Sequence, residues 1–429
     1  MTMIHKKKLL CLILSAALLV CLAACGAPSE PEVRSDGQQR ESTAAPAPTT
    51  APTAAPTAAQ TPGSAEVHEA EPEEPGADAP SIPGLVYERA MDLRYAEQFD
   101  VYYYEGGYKY IASHYDGLGY LIVPEGKTAP QGLDPSVRVL RQPLDDIYLV
   151  ATAAMSLFDA MDSLDVITLC SQNADNWYVK GAAEAMERGE ILYGGKYSEP
   201  DYELLVNSNI DIAIENTMIL HTPKVIEMIE ILGIPVFIEN SSYEPHPLGR
   251  TEWIKLFGAM IGREDAAQAV FDRSERMMEE IETYPATDKT VAIFLIDTSG
   301  RAQVRSPKDY LSKMIGISGG VNAFARLNDG EGGSQANTTM TMEEFYATAM
   351  DTDYLVYNAS GYSSGVNTIE KMLEMSPLLA DCKAVREGNI WWLSPETYQR
   401  TDQIAVLIRE MHMMLSGEEG ETTFLHRME

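Results

Sequence analysis

The feature that most constrains the fold is a repeated order of apolar strands and amphipathic helices. Between residues 149 and 240, short runs such as DVITLC and IDIAIEN alternate with helical patterns such as TPKVIEMIEILG. The same order of strand, helix, short acidic helix, strand, helix and strand returns between residues 290 and 415. Strands that alternate with helices predict a parallel sheet with helices on its faces. We therefore expect an α/β protein with two Rossmann-like lobes.

The stretch between the two halves has no strand pattern. Apolar residues recur there at helical spacing in two segments, and Gly262 is expected to end the first helix. Glu264 and Asp265 suit the start of the second helix, which is predicted to reach about Tyr284 and to span roughly 30 Å. The pattern thus predicts two lobes joined by a single long helix. A surface helix of one large domain is the alternative.

The first 25 residues have the order of a secretory signal peptide. The positive segment Lys6–Lys8 precedes an apolar run, Leu9–Ala23, that is too short to span a bilayer comfortably. The string Leu-Ala-Ala-Cys resembles the bacterial lipobox, whose cysteine becomes the lipidated first residue. Cys25 is therefore the predicted lipidation site, and its acyl chains would hold the protein on the outer face of the cell membrane. An ordinary signal peptide with an incidental cysteine is the alternative.

The chain divides into five predicted segments. They are a signal peptide (1–24), a tether (25–82), an N-terminal α/β lobe (83–247), a helical connector (248–286) and a C-terminal α/β lobe (287–429). The tether is rich in Pro, Ala, Thr and Glu and is expected to be disordered, because it has little apolar surface to bury. Tyrosine-rich runs between residues 99 and 126, broken by Gly-Gly and Asp-Gly, predict hairpin strands.

Charge and cysteine content narrow the classes of partner. The chain has 64 acidic residues against 32 Lys and Arg, a formal net charge of -32. Nucleic acid and anionic lipid are disfavoured as partners, because both need basic patches.

Beyond the signal peptide and Cys25, the sequence has two further cysteines, Cys170 and Cys382, and we expect them to be free thiols.

No pattern predicts catalysis or a metal held directly by the protein. GISGG at residues 316–320 matches G-x-S-x-G, but a helical pattern precedes it where a nucleophile elbow needs a strand, so it predicts a helix end and turn. His114, His221, His246 and His412 are scattered and lack metal-ligand spacing. We therefore expect no enzyme, no cofactor and no metal ligands from the chain itself.

Two matching stretches carry a resemblance to a known family. EPDYELLVNSNIDIAIEN and TMTMEEFYATAMDTDYLVYN each place an acid at the head of a short helix before a strand ending in Asn. With FDAMDSLDVITL, ILGIPVFIEN, IGREDAAQAV, MIGISGGVNAF and CKAVREGNIW in the same order, residues 148–415 resemble the periplasmic binding proteins for iron complexes (siderophores, haem) and cobalamin.

The resemblance implies a substrate-binding lipoprotein of an ABC importer. Such a protein binds an organic iron or cobalt chelate between its lobes and delivers it to the permease and its ATPase, and we expect a monomer. The missing histidine set argues against a bare metal ion as the ligand. A lipid-anchored ligand sensor or hydrolase on the same fold is the alternative.

Loops that follow the strands are expected to line the cleft, because open α/β sheets bind ligands at strand carboxyl ends. Aromatic faces suit large organic chelates, and arginine suits their carboxylates or phosphates; Tyr197 is added because relatives often place an aromatic there. The predicted ligand-binding residues are Asn173, Trp177, Tyr178, Tyr197, Glu215, Asn216, Thr217, Ser241, Tyr243, Ser299, Arg305, Trp392 and Arg400. For each one, plain surface or core packing is the alternative.

Glu203 and Glu343 occupy the matching positions at the heads of the two short helices. The resemblance implies that such acids, one per lobe, meet arginines on the two permease subunits. Glu344 is the neighbouring alternative to Glu343, and ordinary acids that favour the helix dipole are the alternative for both.

Replacing Cys25 with Ala tests the predicted lipid site. Cys25→Ala should release the protein from membranes or block its processing, because no acyl chain can then attach. Membrane fractionation with mass spectrometry of the mature N-terminus measures the effect. Normal maturation and unchanged membrane retention of the variant would contradict the assignment.

Overall fold

A computed structural model describes residues 79–327, 337–359 and 365–429. The predicted signal peptide, Cys25 and nearly all of the predicted tether lie outside the described residues. Across the described ranges, no helix has both the length and the apolar character needed to cross a membrane. The bounds of the five predicted segments stay predictions.

A small, mostly antiparallel sheet opens the described chain. Its strands are β1 (Tyr87–Ala90), β2 (Phe99–Tyr104), β3 (Tyr108–Ser113), β4 (Gly119–Val123) and β5 (Val137–Arg141), in that spatial order. Gly106 and Gly107 both have positive φ in the turn between β2 and β3, a backbone conformation that glycine adopts at no steric cost. The predicted hairpin strands are confirmed. β4 and β5 pair in parallel, and the other pairs are antiparallel.

The sheet of the first lobe is fully parallel, as predicted. Its strands are β6 (Ile147–Leu149), β7 (Ile167–Cys170), β8 (Leu192–Tyr193), β11 (Ile212–Asn216) and β12 (Val236–Glu239), in the spatial order β12-β11-β6-β7-β8. The helices are α1 (Thr152–Ala160), α2 (Lys180–Glu187), α3 (Tyr202–Asn207) and α4 (Pro223–Ile231). A two-stranded ribbon of β9 (Gly195–Lys196) and β10 (Glu199–Pro200) precedes α3.

Two helices form the connector at the places that the sequence predicts. Helix α5 (Pro247–Ile261) ends at Gly262, whose φ of 72° is left-handed, and α6 (Glu264–Ile281) begins with two acids in its first turn. The second helix has 18 residues and ends a little before the predicted Tyr284. Every residue of α5 except Ile261 is buried, so this helix lies inside the molecule.

The second lobe has a mixed sheet with parallel strands at its centre. The strands are β13 (Thr290–Ile296), β14 (Ala302–Arg305), β15 (Val321–Asn322), β16 (Asn337–Met340), β17 (Tyr354–Asn358), β18 (Ile390–Leu393) and β19 (Leu425–Arg427). The helices are α7 (Tyr310–Ile317), α8 (Met342–Ala349), α9 (Ile369–Met375), α10 (Lys383–Glu387) and α11 (Ile404–Ser416). β13, β17 and β18 are parallel, whereas β14, β16 and β19 add antiparallel edges.

One apolar core runs from the first lobe through the connector into the second. It joins Leu149 of the first sheet, Trp253 of α5, Val270 of α6 and Val356 of the second sheet. The predicted α/β fold of two lobes with a helical connection is therefore confirmed. Cys170 and Cys382 are both buried free thiols, also as predicted.

A buried carboxylate on α5 ties the first sheet to the connector. The Glu252 side chain has no exposed surface, and its oxygens accept the backbone N–H groups of Arg94, Tyr95 and Ala96 at 2.7–3.1 Å. The ammonium of Lys255 donates to the same carboxylate at 2.8 Å. A buried charge is tolerated only with such partners, so this network fixes the chain segment that leads into β2.

Removing that carboxylate should strongly destabilise the fold. We expect Glu252→Ala to lower the free energy of unfolding by about 3–5 kcal/mol, because Lys255 and the backbone donors lose their buried partner. The matched control is Glu275→Ala, since Glu275 also contacts Arg94, at 2.7 Å, but in an exposed ion pair worth less than about 1 kcal/mol. Urea unfolding measures both, and equal midpoints for the two variants would contradict the account.

Candidate functional site

A cleft of about 750 Å³ opens between the two lobes. The first lobe and α5 supply one wall, and the segment from β14 to α7 supplies most of the other. The lining residues are Thr217, Ser242, Tyr243, Glu244, Pro245, Arg250, Arg305, Ser306, Lys308, Asp309, Tyr310, Lys313 and Tyr398. Its volume lies in the range of pockets that hold small organic ligands.

Local capping places three of the lining residues. Thr217 begins the short helix Thr217–His221, which is capped by the side chain of the preceding Asn216. Tyr243 ends the turn Ser241–Tyr243 that follows β12. Tyr310 is the first residue of α7, and the carboxylate of Asp309 caps that helix by accepting the N–H of Leu311 at 3.0 Å.

Four cations line the cleft, although the whole chain is strongly acidic. Arg250 is 5% exposed, its guanidinium lies 4.0 Å from the centre of the Tyr310 ring, and its Nε has no hydrogen-bond partner among the described residues. Arg305 donates to Asn337 Oδ1 at 3.0 Å. Lys313 donates to the carbonyl oxygen of Pro245 across the cleft. With Lys308, these side chains give the cleft a local positive charge.

Two acids also lie in the cleft wall, and burial raises the pKa of both. The carboxylate of Glu244 is used by the scaffold, because it accepts the N–H groups of Glu97 and Gln98 and the indole N–H of Trp253, the last at 2.7 Å. Asp309 faces the cations, with Oδ1 at 3.2 Å from Nε of Arg305, and the positive charge of Arg305 partly opposes the rise of its pKa.

A glutamine joins the lobes near the loop that follows β7. Nε2 of Gln399 donates to the carbonyl of Asn176 at 2.9 Å, and its Oε1 accepts the N–H of Tyr178 at 2.8 Å. Both amide atoms of one side chain therefore bind the backbone of the opposite lobe. Trp177, between these two residues, is buried.

Three of the predicted ligand-binding residues line the cleft: Thr217, Tyr243 and Arg305. The others from the first lobe are not among its described lining residues. Asn173 and Tyr178 are exposed, Trp177 and Ser241 are buried, Tyr197 packs against the core of the first lobe, and Asn216 caps the helix after it. Glu215 is fully buried at the end of β11.

The three remaining residues from the second lobe also lie elsewhere. Ser299 is exposed in the turn after β13, where its N–H binds Asp297. Trp392 lies within β18 and packs on His426 at 4.7 Å between ring centres. Arg400 pairs with Asp402 through two contacts of 3.0 Å and lines a small cavity of about 10 Å³ that shares Arg250 and Tyr310 with the cleft lining.

Sequence reasoning missed most of the charged lining. Arg250 stands in the helical pattern of the connector, and Lys308, Lys313 and Tyr310 surround the start of α7. No spacing rule distinguishes these residues from ordinary helix surface. A usable signal was the local run RSPKDYLSK, which concentrates three cations in a chain with twice as many acids as bases.

The GISGG segment forms the predicted helix end and turn. Ser318 follows α7 and is buried, and its hydroxyl donates to the carbonyl of Ile315 at 2.9 Å. Gly319 has a φ of 90°.

Among the described residues, the carboxylates of Asp145, Asp146 and Asp211 come within 4.8 Å of one another, and none of these residues lines the cleft.

Both predicted docking acids are exposed in the first turn of their helices, Glu203 in α3 and Glu343 in α8. Glu344 has a different role. Its carboxylate accepts the N–H of Thr341 at 2.8 Å, and the Thr341 hydroxyl accepts the N–H of Glu344, which completes a capping box. The geometry therefore separates Glu343 from its neighbour.

Comparison with known sequences gives one family and two relatives. The sequence profile described as "Periplasmic binding protein" matches residues 163–397. Uncharacterized lipoprotein MJ0872 of Methanocaldococcus jannaschii is 26% identical over 320 residues, which are 71% of this chain and 78% of the relative. Uncharacterized lipoprotein MJ0878 of the same organism is 24% identical over 292 residues, which are 66% and 68% of the two chains.

Solved structures show the same fold. The periplasmic haem-binding protein HutB of Vibrio cholerae has a TM-score of 0.51 at 15% identity, covering 62% of this chain and 97% of its own. The siderophore-binding protein FeuA of Bacillus subtilis, complexed with ferri-bacillibactin, has a TM-score of 0.50 at 14% identity, covering 65% and 94%. Likeness at such identities concerns the fold alone.

Glu215 is an unusual buried acid of the first lobe. It precedes the lining residue Thr217 by two positions, and neither carboxylate oxygen has a hydrogen-bond partner among the described residues. Burial raises its pKa to about 8. The charge of its carboxylate would also act on the nearby phenols of Tyr148 and Tyr202, whose pKa values are raised, mainly by burial. Between about pH 4.5 and pH 8, the raised pKa therefore favours a protonated Glu215 in the folded protein, whereas the unfolded chain releases that proton.

This proton makes stability depend on pH in a defined direction. Because the pKa of Glu215 is raised in the folded state, its contribution to the free energy of unfolding should fall as pH rises from about 4.5 to about 8. Glu215→Gln removes the ionisation, so the stability of the variant relative to the native chain should grow by about 1.4 kcal/mol per pH unit at most over that window. Chemical unfolding across pH measures the difference. A difference that stays constant with pH would contradict the assignment.

Proposed function

Because the chain belongs to the periplasmic binding protein family, we propose that it captures an organic iron or cobalt chelate and delivers it to an ABC permease. The chelate is a siderophore complex, haem or a corrinoid that carries acidic groups. The observation that carries this proposal is the cationic, tyrosine-lined cleft between the lobes of a chain with net charge -32. The printed ligands of two fold relatives, haem and ferri-bacillibactin, support the substrate class.

The chemistry of the lining suits an anionic chelate. Arginine binds carboxylates and phosphates through paired N–H donors, and the nearly buried position of the Arg305 side chain, which is 11% exposed, strengthens such contacts. Tyr243 and Tyr398 add aromatic surface on which a planar or aromatic ligand can pack, whereas the ring of Tyr310 is buried against Arg250. Binding alone is proposed, with no covalent step, and the chelate brings its own metal and metal ligands.

The membrane location follows from the N-terminal pattern. We propose that lipidated Cys25 anchors the protein on the outer face of the membrane, and the names of the two lipoprotein relatives support this. A lipid anchor keeps the captured ligand near the permease, where local concentration favours encounter. The permease acts together with its ATPase.

Glu203 and Glu343 are the proposed docking points on the permease. One acid lies on each lobe, both are exposed, and neither carboxylate has a hydrogen bond or ion pair to another described residue. Two separated charge pairs orient a transient complex and act mainly on its rate of formation.

Neutralising one cleft cation tests the ligand proposal. We expect Arg305→Gln to weaken binding of an acidic iron chelate by roughly tenfold or more, because a partly buried charged contact is lost. Lys289→Gln is the matched control, since it removes one positive charge from an exposed position outside the cleft. Calorimetric titration after a thermal-shift screen of siderophore complexes, haem and corrinoids gives the affinities. No shift with the whole panel, together with a shift by a simple sugar or peptide, would contradict the substrate class.

Removing both docking acids should separate transport from binding. In the double variant Glu203→Ala, Glu343→Ala, ligand affinity should stay within about twofold while uptake falls sharply, because rim charges act on permease encounter. Glu344→Gln is the control, since glutamine keeps the capping box and leaves Glu343 in place. Uptake of radiolabelled iron chelate by cells measures transport. Normal uptake by the double variant rules the assignment out.

A further inference from the structure

Asp309 is the acid in the cleft that directly opposes the cations. Its side chain is 4% exposed, and Oδ1 lies 3.2 Å from Nε of Arg305. Arg250 and Lys313 also act on it, because their positive charges favour its ionised form. Glu244, the other acid in the cleft wall, does not oppose the cations in this way, because its carboxylate accepts hydrogen bonds from the backbone of Glu97 and Gln98 and from the indole of Trp253.

The charges of the lining determine what the cleft can accept. Among the described lining residues, the cations Arg250, Arg305 and Lys313 act on the carboxylate of Asp309, whereas Glu244 is bound by the scaffold. Charges in a partly enclosed site interact more strongly than in bulk water. A ligand with many negative charges therefore meets repulsion from Asp309, and a neutral ligand does not.

We propose that Asp309 is a specificity-determining residue that limits the negative charge of the ligand the cleft accepts. This inference rests on the proposed function of the cleft. Asp309 does so as a buried counter-charge to Arg250, Arg305 and Lys313. Loss of its charge would make the lining more positive by one unit charge.

The test compares two iron(III) complexes of similar size. Each catecholate brings two negative charges and each hydroxamate one, so a hexadentate tris-catecholate complex carries three negative charges and a tris-hydroxamate complex is neutral. Asp309→Asn keeps the helix cap, because the Asn oxygen also accepts the N–H of Leu311. In the full chain we expect roughly tenfold tighter binding of the tris-catecholate and less than about twofold change for the tris-hydroxamate.

Two controls separate charge from structure. Asp309→Glu keeps the charge and should keep the native preference between the complexes. Asp297→Asn removes a 10%-exposed acid that also accepts two backbone N–H groups, but outside the cleft lining, and should change neither affinity. The gain in Asp309→Asn should also shrink as salt rises, which a purely structural effect would not do.

The outcomes distinguish this inference from the proposed function. Equal changes for both complexes in Asp309→Asn, or an unchanged preference while the native chain binds the tris-catecholate, would overturn the role of Asp309 alone. A native chain that binds neither complex overturns the role of Asp309, and the proposed chelate function is contradicted as well only if haem and corrinoids also fail to bind.

Discussion

The buried helix α5 is the constraint on which the rest of the structure depends. It is enclosed by both lobes, so its polar side chains must find partners inside the protein. Glu252 does so by binding the chain segment before β2, and Thr251 donates to the carbonyl of Thr401 at 2.8 Å in the second lobe. Arg250, one residue earlier, reaches the cleft instead. A single helix therefore holds the first sheet, the second lobe and one cation of the cleft in fixed relation.

Hydrogen bonds between the lobes hold the cleft in place, and its wall carries positively charged side chains. Lys313 crosses it to the carbonyl of Pro245, and Gln399 binds the backbone on both sides of Trp177. These contacts hold the lobes together around a space whose wall is positive although the protein as a whole is negative. The overall charge discourages nonspecific anion binding elsewhere, and the cleft concentrates the cations where a chelate would lie.

The periodicity of the sequence was sufficient to predict the fold but not the residues that line the cleft. The alternation of strands and helices, the end of α5 at Gly262 and the turn at Gly319 each follow from local preferences that the folded chain obeys. Of the residues chosen because they follow strands, Thr217 and Tyr243 line the cleft, and their ligand-binding role stays a prediction. The same criterion also indicated Trp177, which the core takes up, because hydrophobic burial overrides the position of a residue after a strand.

Arg250 shows the opposite limit. The helical pattern around Arg250 predicts that it lies in a helix. It does not predict that α5 is buried on all sides, because that burial depends on contacts with residues distant in sequence. The same holds for Glu215, because its lack of hydrogen-bond partners among the described residues depends on how the surrounding strands and helices are assembled.

The central claim is that the cationic cleft holds a metal chelate. A crystal structure of the protein with an acidic iron chelate, with anomalous diffraction at the iron edge, tests it most directly. The account predicts one strong anomalous peak between the lobes, with acidic groups of the chelate in contact with Arg250 or Arg305. A peak outside the cleft, for example at Asp145, Asp146 and Asp211, or an ordered chelate that contacts neither arginine, would contradict it.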